Sequence, residues 1–201
     1  WSSPYVTLVS STDIPHTFIV GNEAMDAHGA GASVAAGDVN GDGTDDLTFG
    51  VTAEDAGGYD DAGCAYFVPG GPTFPTSGTL IADGDVYGLG EGRMCGVGDT
   101  MALGVVLSSA ADLNGDGFAD MVMSSVRYDE VFVLSGETMS ELTRGAEPTM
   151  TADEANHDIF GNEGTYFGYT VNGLGDVNGN GSGEVMITDK DNVGYLLLGG
   201  R

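Results

Sequence analysis

Side-chain oxygens recur at every second position in three glycine-containing segments of this chain. Residues 38–46 read DVNGDGTDD, residues 112–120 read DLNGDGFAD, and residues 176–184 read DVNGNGSGE, which has fewer acids. Carboxylate and amide oxygens at this spacing, with glycines that let the backbone turn tightly, are what a hard cation such as Ca²⁺ requires. The sequence therefore predicts two strong calcium sites and one weaker site.

The predicted ligands occupy the same positions in each of the three segments. Positions one, three, five and nine offer side-chain oxygens in the first two loops, and position seven offers a backbone carbonyl. The predicted set is Asp38, Asn40, Asp42, Thr44 and Asp46, then Asp112, Asn114, Asp116, Phe118 and Asp120, then Asp176, Asn178, Asn180, Ser182 and Glu184. The alternative is an acidic turn in which the asparagines and glycines only make tight bends.

A helix–loop–helix calcium motif is the main rival to this interpretation, and the sequence excludes it. Such a loop needs a bidentate glutamate at its twelfth position and a helix on each side. The twelfth positions here are Phe49, Met123 and Ile187. Each segment instead places its last acid at position nine and then enters a run of β-forming residues, so we expect a strand after each loop.

Longer repeats surround the loops and resemble the FG-GAP repeat family. The segments before the loops resemble the FG half of such repeats: residues 31–38, 103–112 and 167–176. Only Phe167-Gly168 keeps the literal pair. The apolar runs that match a later strand of the repeat are residues 65–68, 131–134 and 195–198. The resemblance implies a β-propeller of the integrin α-chain type, in which a calcium loop joins the first two strands of each blade.

Length and composition agree with an all-β fold, since 201 residues with 35 glycines and 18% charged residues suit short strands and tight turns. The resemblance implies blades of four antiparallel strands, about three in this chain. The predicted division is an N-terminal strand or linker at residues 1–13 and repeats at residues 14–71, 72–136 and 137–201. The repeat places a loop at residues 135–144, and we expect a loop there; a turn or two of helix is the alternative.

The core of the repeat is regular, and the connections between repeats vary in length. Each of the first two loops is followed by a short segment with the pattern of an outer strand. The distance from the start of the loop to the end of that segment is 50 residues in the first repeat (38 to 88) and 49 residues in the second (112 to 161). Such regularity with variable insertions is expected of stacked supersecondary units. The two markers, residues 86–88 and 159–161, are therefore predicted to be outer strands.

The repeats begin and end out of phase. Residues 17–20 have the pattern of an outer strand, but no inner strands precede them. Residues 195–198 have the pattern of a third strand, but no outer strand follows them. Unpaired edges favour strand addition. We hypothesise that the N-terminal strand of one copy completes the last blade of another, which gives a closed ring or a filament. The alternative is that the rest of a longer chain supplies the missing blades.

The charge balance limits the partners and the location. The chain has 31 acidic residues against 5 lysines and arginines, a formal net charge of −26. Such a field repels nucleic acid and anionic lipid headgroups, and no apolar run reaches the roughly 20 residues that cross a bilayer. We expect no nucleic-acid binding and no membrane insertion. An extracellular or cell-surface location is expected, because loops of this kind fill where free Ca²⁺ is roughly millimolar.

The two cysteines, Cys64 and Cys95, are predicted to form a disulfide. Cys64 precedes the third strand of the first repeat, and Cys95 falls in the long insertion of the next repeat, so a bridge would hold that insertion in place. Two buried free thiols are the alternative. No CxxC spacing is present that would indicate a metal or redox site.

The sequence contains neither an HExxH nor a GxSxG motif, and we expect a protein that is not an enzyme. The predicted function is an extracellular calcium-binding propeller module for adhesion or structural assembly, which joins other copies of itself. A cell-surface protein or a glycan is the further expected partner. The alternative is a carbohydrate-binding propeller, or the accessory propeller of a secreted polysaccharide-degrading enzyme. Its candidate sugar platforms are Trp1, Tyr59, Tyr128 and Tyr166.

Overall fold

A computed structural model describes residues 17–21, 34–72, 74, 78–82, 92–110, 112–144 and 149–200 of the chain. The described residues are mostly β, as predicted, with a single α-helix among them. The strands are β1 Thr17–Gly21, β2 Val34–Gly37, β3 Asp46–Val51, β4 Cys64–Val68, β5 Gly78–Ala82, β6 Gly92–Cys95, β7 Val106–Ala110, β8 Asp120–Ser125, β9 Glu130–Leu134, β10 Thr149–Thr151, β11 His157–Phe160, β12 Thr170–Gly175, β13 Glu184–Thr188 and β14 Gly194–Leu198. The helix, α1, is Gly136–Arg144, and short 3-10 turns lie at Val126–Tyr128 and Ala152–Glu154.

Three larger sheets contain all the described strands except β1 and β5, which form a two-stranded sheet of their own. The first has the order β10-β6-β4-β3-β2, in which β2, β3, β4 and β6 pair antiparallel and β10 pairs parallel to β6. The second is an antiparallel sheet of order β11-β9-β8-β7, and the third is β12-β13-β14. These sheets form no closed ring within the described residues, so the ring and its number of blades stay predictions.

The two predicted outer-strand markers have different outcomes. Residues 159–161 overlap β11, which pairs antiparallel with β9 on the outside of the second sheet. Residues 86–88 lie outside the described residues, and β6 holds the corresponding place beside β4 in the first sheet. The N-terminal strand β1 pairs with β5, and the pairing is parallel. In this structure β1 is therefore not the antiparallel outer strand of a blade.

Two apolar clusters hold the three sheets together. Between the first and second sheets, Phe67 and Met94 pack with Met121, Phe132 and Leu134. All six residues of β8 are buried because this strand has a sheet on each face. A strand buried on both faces loses the polar alternation of a surface strand. The second cluster joins the second sheet to the third and contains Val122, Val131, Val133, Phe167, Val185 and Ile187, among others.

Close packing between neighbouring sheets explains why the second residue of the FG pair is glycine. Gly168 has φ of +83°, and a Cβ atom built on it would lie 2.7 Å from the Ser124 Cβ of the preceding sheet. Gly104 has φ of +86° and lies in the same way against Gly50 of the first sheet. Leu103 replaces the phenylalanine of the pair and is fully buried. Only a residue without a side chain allows this backbone approach.

The expectation of a loop at residues 135–144 is wrong, because the segment from Gly136 forms α1. The Ser135 hydroxyl accepts a hydrogen bond from the Thr138 N–H at 3.3 Å, which satisfies one of the free donors at the start of a helix. Met139 is fully buried in the first cluster, and Leu142 packs against it. Tertiary burial of one face therefore stabilises a helix that its short sequence would not maintain alone.

Candidate functional site

Each predicted cation-binding loop lies in the same place in its sheet. The loop at residues 38–45 joins β2 to β3, that at residues 112–119 joins β7 to β8, and that at residues 176–183 joins β12 to β13. Neighbouring loops also touch, since the Gly183 N–H donates to the Asp112 carbonyl at 2.7 Å. The three loops therefore lie along one rim of the stacked sheets.

The first loop is folded by its own carboxylate and amide oxygens. Asp38 accepts from the N–H groups of Asp42 at 2.9 Å and Gly43 at 2.8 Å. Asn40 Oδ1 accepts from the Asp42 N–H at 2.9 Å, and Asp42 Oδ1 accepts from the Thr44 N–H at 2.9 Å. Side chains that accept from the backbone a few residues ahead stabilise tight turns, so positions one, three and five point their oxygens to the inside of the loop.

The second loop repeats this network. Asp112 accepts from the N–H groups of Gly115, Asp116 and Gly117 at 2.6, 3.0 and 2.7 Å. Asn114 Oδ1 accepts from the Asp116 N–H at 2.8 Å. Asp116 Oδ1 in turn accepts from the N–H at position seven at 2.8 Å.

The third loop has the same bonds despite its weaker acid content. Asp176 accepts from the N–H groups of Gly179, Asn180 and Gly181 at 2.7, 3.0 and 2.9 Å. Asn180 Oδ1 accepts from the Ser182 N–H at 2.8 Å, as the aspartate does at this position in the other loops. These backbone bonds lower the pKa of Asp176, and the bond from Gly181 has the largest effect. The three predicted loops therefore share one conformation.

The acid at position nine is buried in all three loops: Asp46, Asp120 and Glu184 are 3%, 1% and 0% exposed. Each accepts from the N–H of the second loop residue: Val39 at 3.0 Å, Leu113 at 2.6 Å and Val177 at 2.7 Å. The longer Glu184 side chain also accepts from Asn178 Nδ2 at 2.6 Å. This acid closes each loop onto its following strand.

Burial has electrostatic consequences at the position-nine acids. Removal from water raises the pKa of Asp46, although N–H bonds from Gly70, Asn40 and Val39 lower it. Burial likewise raises the pKa of Asp120, and the charges of Asp116 and Asp112 add to this increase. An anion that is both buried and close to other anions is stabilised by a nearby positive charge.

The donor chemistry of the loops fits a hard cation. Each loop offers carboxylate, amide and carbonyl oxygens, and in the described part of the chain the one ion pair joins Arg93 to Glu54, outside the loops. Among the described residues, one group of three His, Cys, Asp or Glu side chains has its ligand atoms all within 4.8 Å of one another: Glu54, Cys64 and Cys95. The loop carboxylates are therefore more widely spaced than that limit in this structure.

Comparison with known families adds to this geometry. The FG-GAP repeat family matches residues 30–68, which contain β2, the first loop, β3 and β4. This segment is therefore similar to a single FG-GAP repeat. The resemblance inferred from the sequence is thereby confirmed for this segment, and it favours a β-propeller type of module. A search of curated proteins gives no match to the chain.

The FG-GAP segment also contains one of the two cysteines. The structure joins Cys64 to Cys95 by a disulfide. Cys64 begins β4 and lies opposite Cys95, the last residue of β6 in the same sheet. The bridge therefore links neighbouring strands of the first sheet, and it does not hold an insertion of the next repeat as expected. Because the sulfurs are bonded to each other, the group with Glu54 has no thiolate to offer a metal.

Sequence reasoning missed a polar group on the first sheet, formed by Glu54, Tyr66 and Arg93. The Tyr66 hydroxyl donates to Glu54 Oε2 at 2.7 Å, and the Arg93 guanidinium donates to Glu54 Oε1 at 2.8 Å. Burial raises the pKa of Tyr66, and the Glu54 charge raises it further. The scarcity of bases was the available signal, since Arg93 is one of 5 lysines and arginines in the chain. Nothing local in the sequence indicates its partner.

The predicted sugar platforms lie on the surface. Tyr59, Tyr128 and Tyr166 are exposed, and Trp1 lies outside the described residues. The Tyr128 hydroxyl donates to the Asp99 carbonyl at 3.0 Å. The Lys190 Nζ lies 4.6 Å from the centre of the Tyr166 ring, so a cation already covers one face of that ring.

In the described part of the chain, no helix is long and apolar enough to cross a membrane.

Proposed function

We propose that this chain is a non-enzymatic, extracellular calcium-binding module of the β-propeller type that serves adhesion or structural assembly. The observation that carries the calcium part is the buried acid at position nine in all three loops. Asp46 and Asp120 have raised pKa values through burial, and no lysine or arginine pairs with them among the described residues. A cation at each loop would compensate these buried charges.

The hydrogen bonds within the loops are compatible with this proposal. A carboxylate oxygen has two lone pairs, so an oxygen that accepts one N–H can still bind a cation. Asp112, Asn114, Asp116 and Asp120 are the proposed side-chain ligands of the second loop, and Phe118 offers its carbonyl. Bound Ca²⁺ would draw the loop oxygens closer together and would link the first strand of a sheet to the second.

The energetic role of the ions follows from mass action. A ligand that binds only the folded state at about 100 times its Kd adds about 2.7 kcal/mol to the free energy of unfolding. A Kd of roughly 10 μM would meet this condition at roughly millimolar Ca²⁺. The disulfide between Cys64 and Cys95 supports the extracellular part of the proposal, because such bonds persist in oxidising compartments.

Calcium uptake by the matched variants Asp116→Asn and Glu141→Gln tests this function. Asp116 is at position five of the second loop, whereas Glu141 is an exposed acid on α1 outside the three loops. We expect isothermal titration calorimetry to show weaker Ca²⁺ binding at one site for Asp116→Asn, because the second loop then has the asparagine that the third loop has at position five, and no change for Glu141→Gln. We also expect EGTA to lower the melting temperature of the unmodified chain. A chain that takes up no Ca²⁺ and melts at the same temperature in EGTA would contradict the proposal.

The assembly part of the proposal concerns the edge of β14. Among the described residues, β14 pairs with β13 alone, whereas β4 and β9 have outer strands beside them. We propose that this edge receives a strand from outside its own sheet. Sedimentation at several concentrations tests the version in which other copies supply it, because such assembly rises with concentration.

A further inference from the structure

Neighbouring loops touch through the same two positions at both junctions. At the first junction, a Cβ atom built on Gly41, position four of the first loop, would overlap the ring of Phe118, position seven of the second. At the second junction, a Cβ atom built on Gly115 would lie 3.6 Å from Ser182 Oγ, again positions four and seven. The contact is tighter at the first junction because position seven is an aromatic ring there.

Both positions of the first junction adjoin proposed calcium ligands. Gly41 lies between Asn40 and Asp42, and the Asp42 N–H donates to Asn40 Oδ1 across it at 2.9 Å. Its φ of +72° is a conformation that glycine adopts readily, and it makes the turn that brings these two side chains together. Phe118 offers its backbone carbonyl to the second loop. One residue therefore belongs to the second loop by its backbone and contacts the first loop by its ring.

The Phe118 ring has a limited role in the core. Phe118 is half-buried, whereas the next residue, Ala119, packs against the first apolar cluster. The Cβ atom of Phe118 lies against Gly136, and an alanine at this position would keep that atom. Truncation of Phe118 to alanine therefore removes the contact with Gly41 and leaves the cluster intact.

Charge opposes this contact as a link between the loops. The proposed ligands of each of the first two loops include three carboxylates, at positions one, five and nine, so a divalent cation leaves a net charge of −1. Occupation of one loop therefore weakens the field that attracts a cation to the other. Salt screens charges beyond about 8 Å at about 0.15 M ionic strength, but it does not weaken van der Waals contact. We expect the contact to have the larger effect at this ionic strength.

We propose that Phe118 is a positioning residue for the first loop, so that occupation of the second loop raises the calcium affinity of the first. When the Phe118 carbonyl is held as a ligand of the second loop, its ring holds the turn at Gly41. The first loop then loses less conformational freedom when it binds its own cation, and its affinity rises. By thermodynamic reciprocity, occupation of the first loop raises the affinity of the second by the same factor. This inference rests on the proposed calcium function.

NMR of the full chain labelled with ¹⁵N-glycine measures each loop separately while CaCl₂ is added. The Gly43 N–H donates to Asp38 Oδ2 at 2.8 Å and therefore reports the first loop. The Gly117 N–H donates to Asp112 Oδ2 at 2.7 Å and reports the second. Phe118→Ala leaves every proposed ligand in place, and we expect it to weaken calcium binding at the first loop about fivefold.

Two further substitutions control for a general loss of packing. Phe118→Leu keeps a large apolar side chain against Gly41 and should recover most of the affinity. Phe160→Ala truncates a phenylalanine of β11 that is 71% exposed, and it should leave the affinity of the first loop unchanged. Unchanged affinity in Phe118→Ala, or an equal loss in Phe160→Ala, would overturn the inference.

A substitution in the second loop tests the link from the other side. Asp116→Asn weakens the second loop and keeps its turn, because Asn180 Oδ1 accepts the equivalent bond in the third loop at 2.8 Å. We expect this variant also to bind calcium about fivefold more weakly at the first loop, to which Asp116 supplies no ligand.

The double variant Asp116→Asn, Phe118→Ala separates packing from charge. Once the ring is absent, Asp116→Asn should cause no further loss at the first loop in about 0.15 M salt. A full additional loss would show that charge alone joins the loops and would refute the inference. Calcium uptake at both loops without any effect of one on the other would overturn this inference alone. Absence of uptake would overturn the proposed function itself.

Discussion

Asp120 and Gly136 connect the second loop to the start of α1: the Asp120 Oδ1 atom accepts a hydrogen bond from the Gly136 N–H at 3.0 Å. Asp46 and Gly70 make the equivalent bond in the first sheet at 2.8 Å. Glycine at this place lets the chain after the third strand pass close to the loop backbone. The acid at position nine is therefore a structural anchor as well as a proposed ligand.

This anchor predicts a calcium-independent effect of Asp120→Asn. The substitution leaves one of two buried donors, the N–H groups of Leu113 and Gly136, facing an amide N–H₂. An unsatisfied buried donor costs about 1–3 kcal/mol. We expect the free energy of unfolding, measured by urea titration in EGTA, to fall by about 2 kcal/mol. Asp116→Asn is the control, because the N–H groups that donate hydrogen bonds to Asp116 lie outside the core. Equal stability of both variants in EGTA would contradict the anchor role.

Contact between neighbouring loops predicts different costs for two glycine substitutions. Gly41 and Gly43 have φ of +72° and +89°, which disfavours any residue with a side chain. A Cβ on Gly41 would overlap the Phe118 ring of the second loop, whereas nothing lies within 4 Å of a Cβ on Gly43.

We therefore expect Gly43→Ala to lower the free energy of unfolding by about 1 kcal/mol through backbone strain alone. Gly41→Ala should cost about 1–3 kcal/mol more because of overpacking. Urea denaturation of both variants checks this order. The double substitution Gly41→Ala with Phe118→Ala should recover part of the difference, and no recovery would refute contact between the loops.

The disulfide predicts a large loss of stability on removal. Cys64 and Cys95 are 31 residues apart, and the chain-entropy relation gives about 3–4 kcal/mol for a loop of this size. The double variant Cys64→Ala, Cys95→Ala should unfold at lower urea concentration by that free energy. A reducing agent should destabilise the unmodified chain and leave the double variant unchanged. A response of the double variant to the reducing agent would show that the effect does not come from this bond.

Tyr66 predicts a fall in stability at alkaline pH. Burial and the Glu54 charge raise the pKa of Tyr66 above its ordinary value of 10.0. The folded state therefore keeps its phenol proton where the unfolded chain loses it, and the stabilisation present below pH 10 decreases as the pH rises further. Tyr66→Phe removes the titrating group. We expect the variant to lose less free energy of unfolding than the unmodified chain between pH 9 and pH 11. Identical losses would contradict the raised pKa.

Much of the loop structure was accessible from the sequence because its bonds are local. Asp38 and Gly43 are five residues apart, and the alternation of oxygens and glycines is sufficient to indicate the turn. The strands that follow, such as β8, also follow from short apolar runs. The predicted ligands consequently fall on loops with one common conformation, although the sequence contains no information on how closely their oxygens approach.

Other features depend on residues that are far apart in the chain. α1 forms because Met139 is buried against the first two sheets, which local helical periodicity does not reveal. Cys95 lies in the first sheet because β6 pairs with β4, from which a long segment of chain separates it. The parallel pairing of β1 with β5 also joins segments that are far apart in the sequence.

The sequence by itself determined the loop repeats, the β class and the FG-GAP resemblance, since these depend on residue spacing within a few positions. Only the tertiary structure decided the pairing of Arg93 with Glu54, the place of the disulfide and the helix at Gly136–Arg144. These depend on which strands pair and which faces are covered, and packing between distant segments selects among many arrangements that the same local pattern permits.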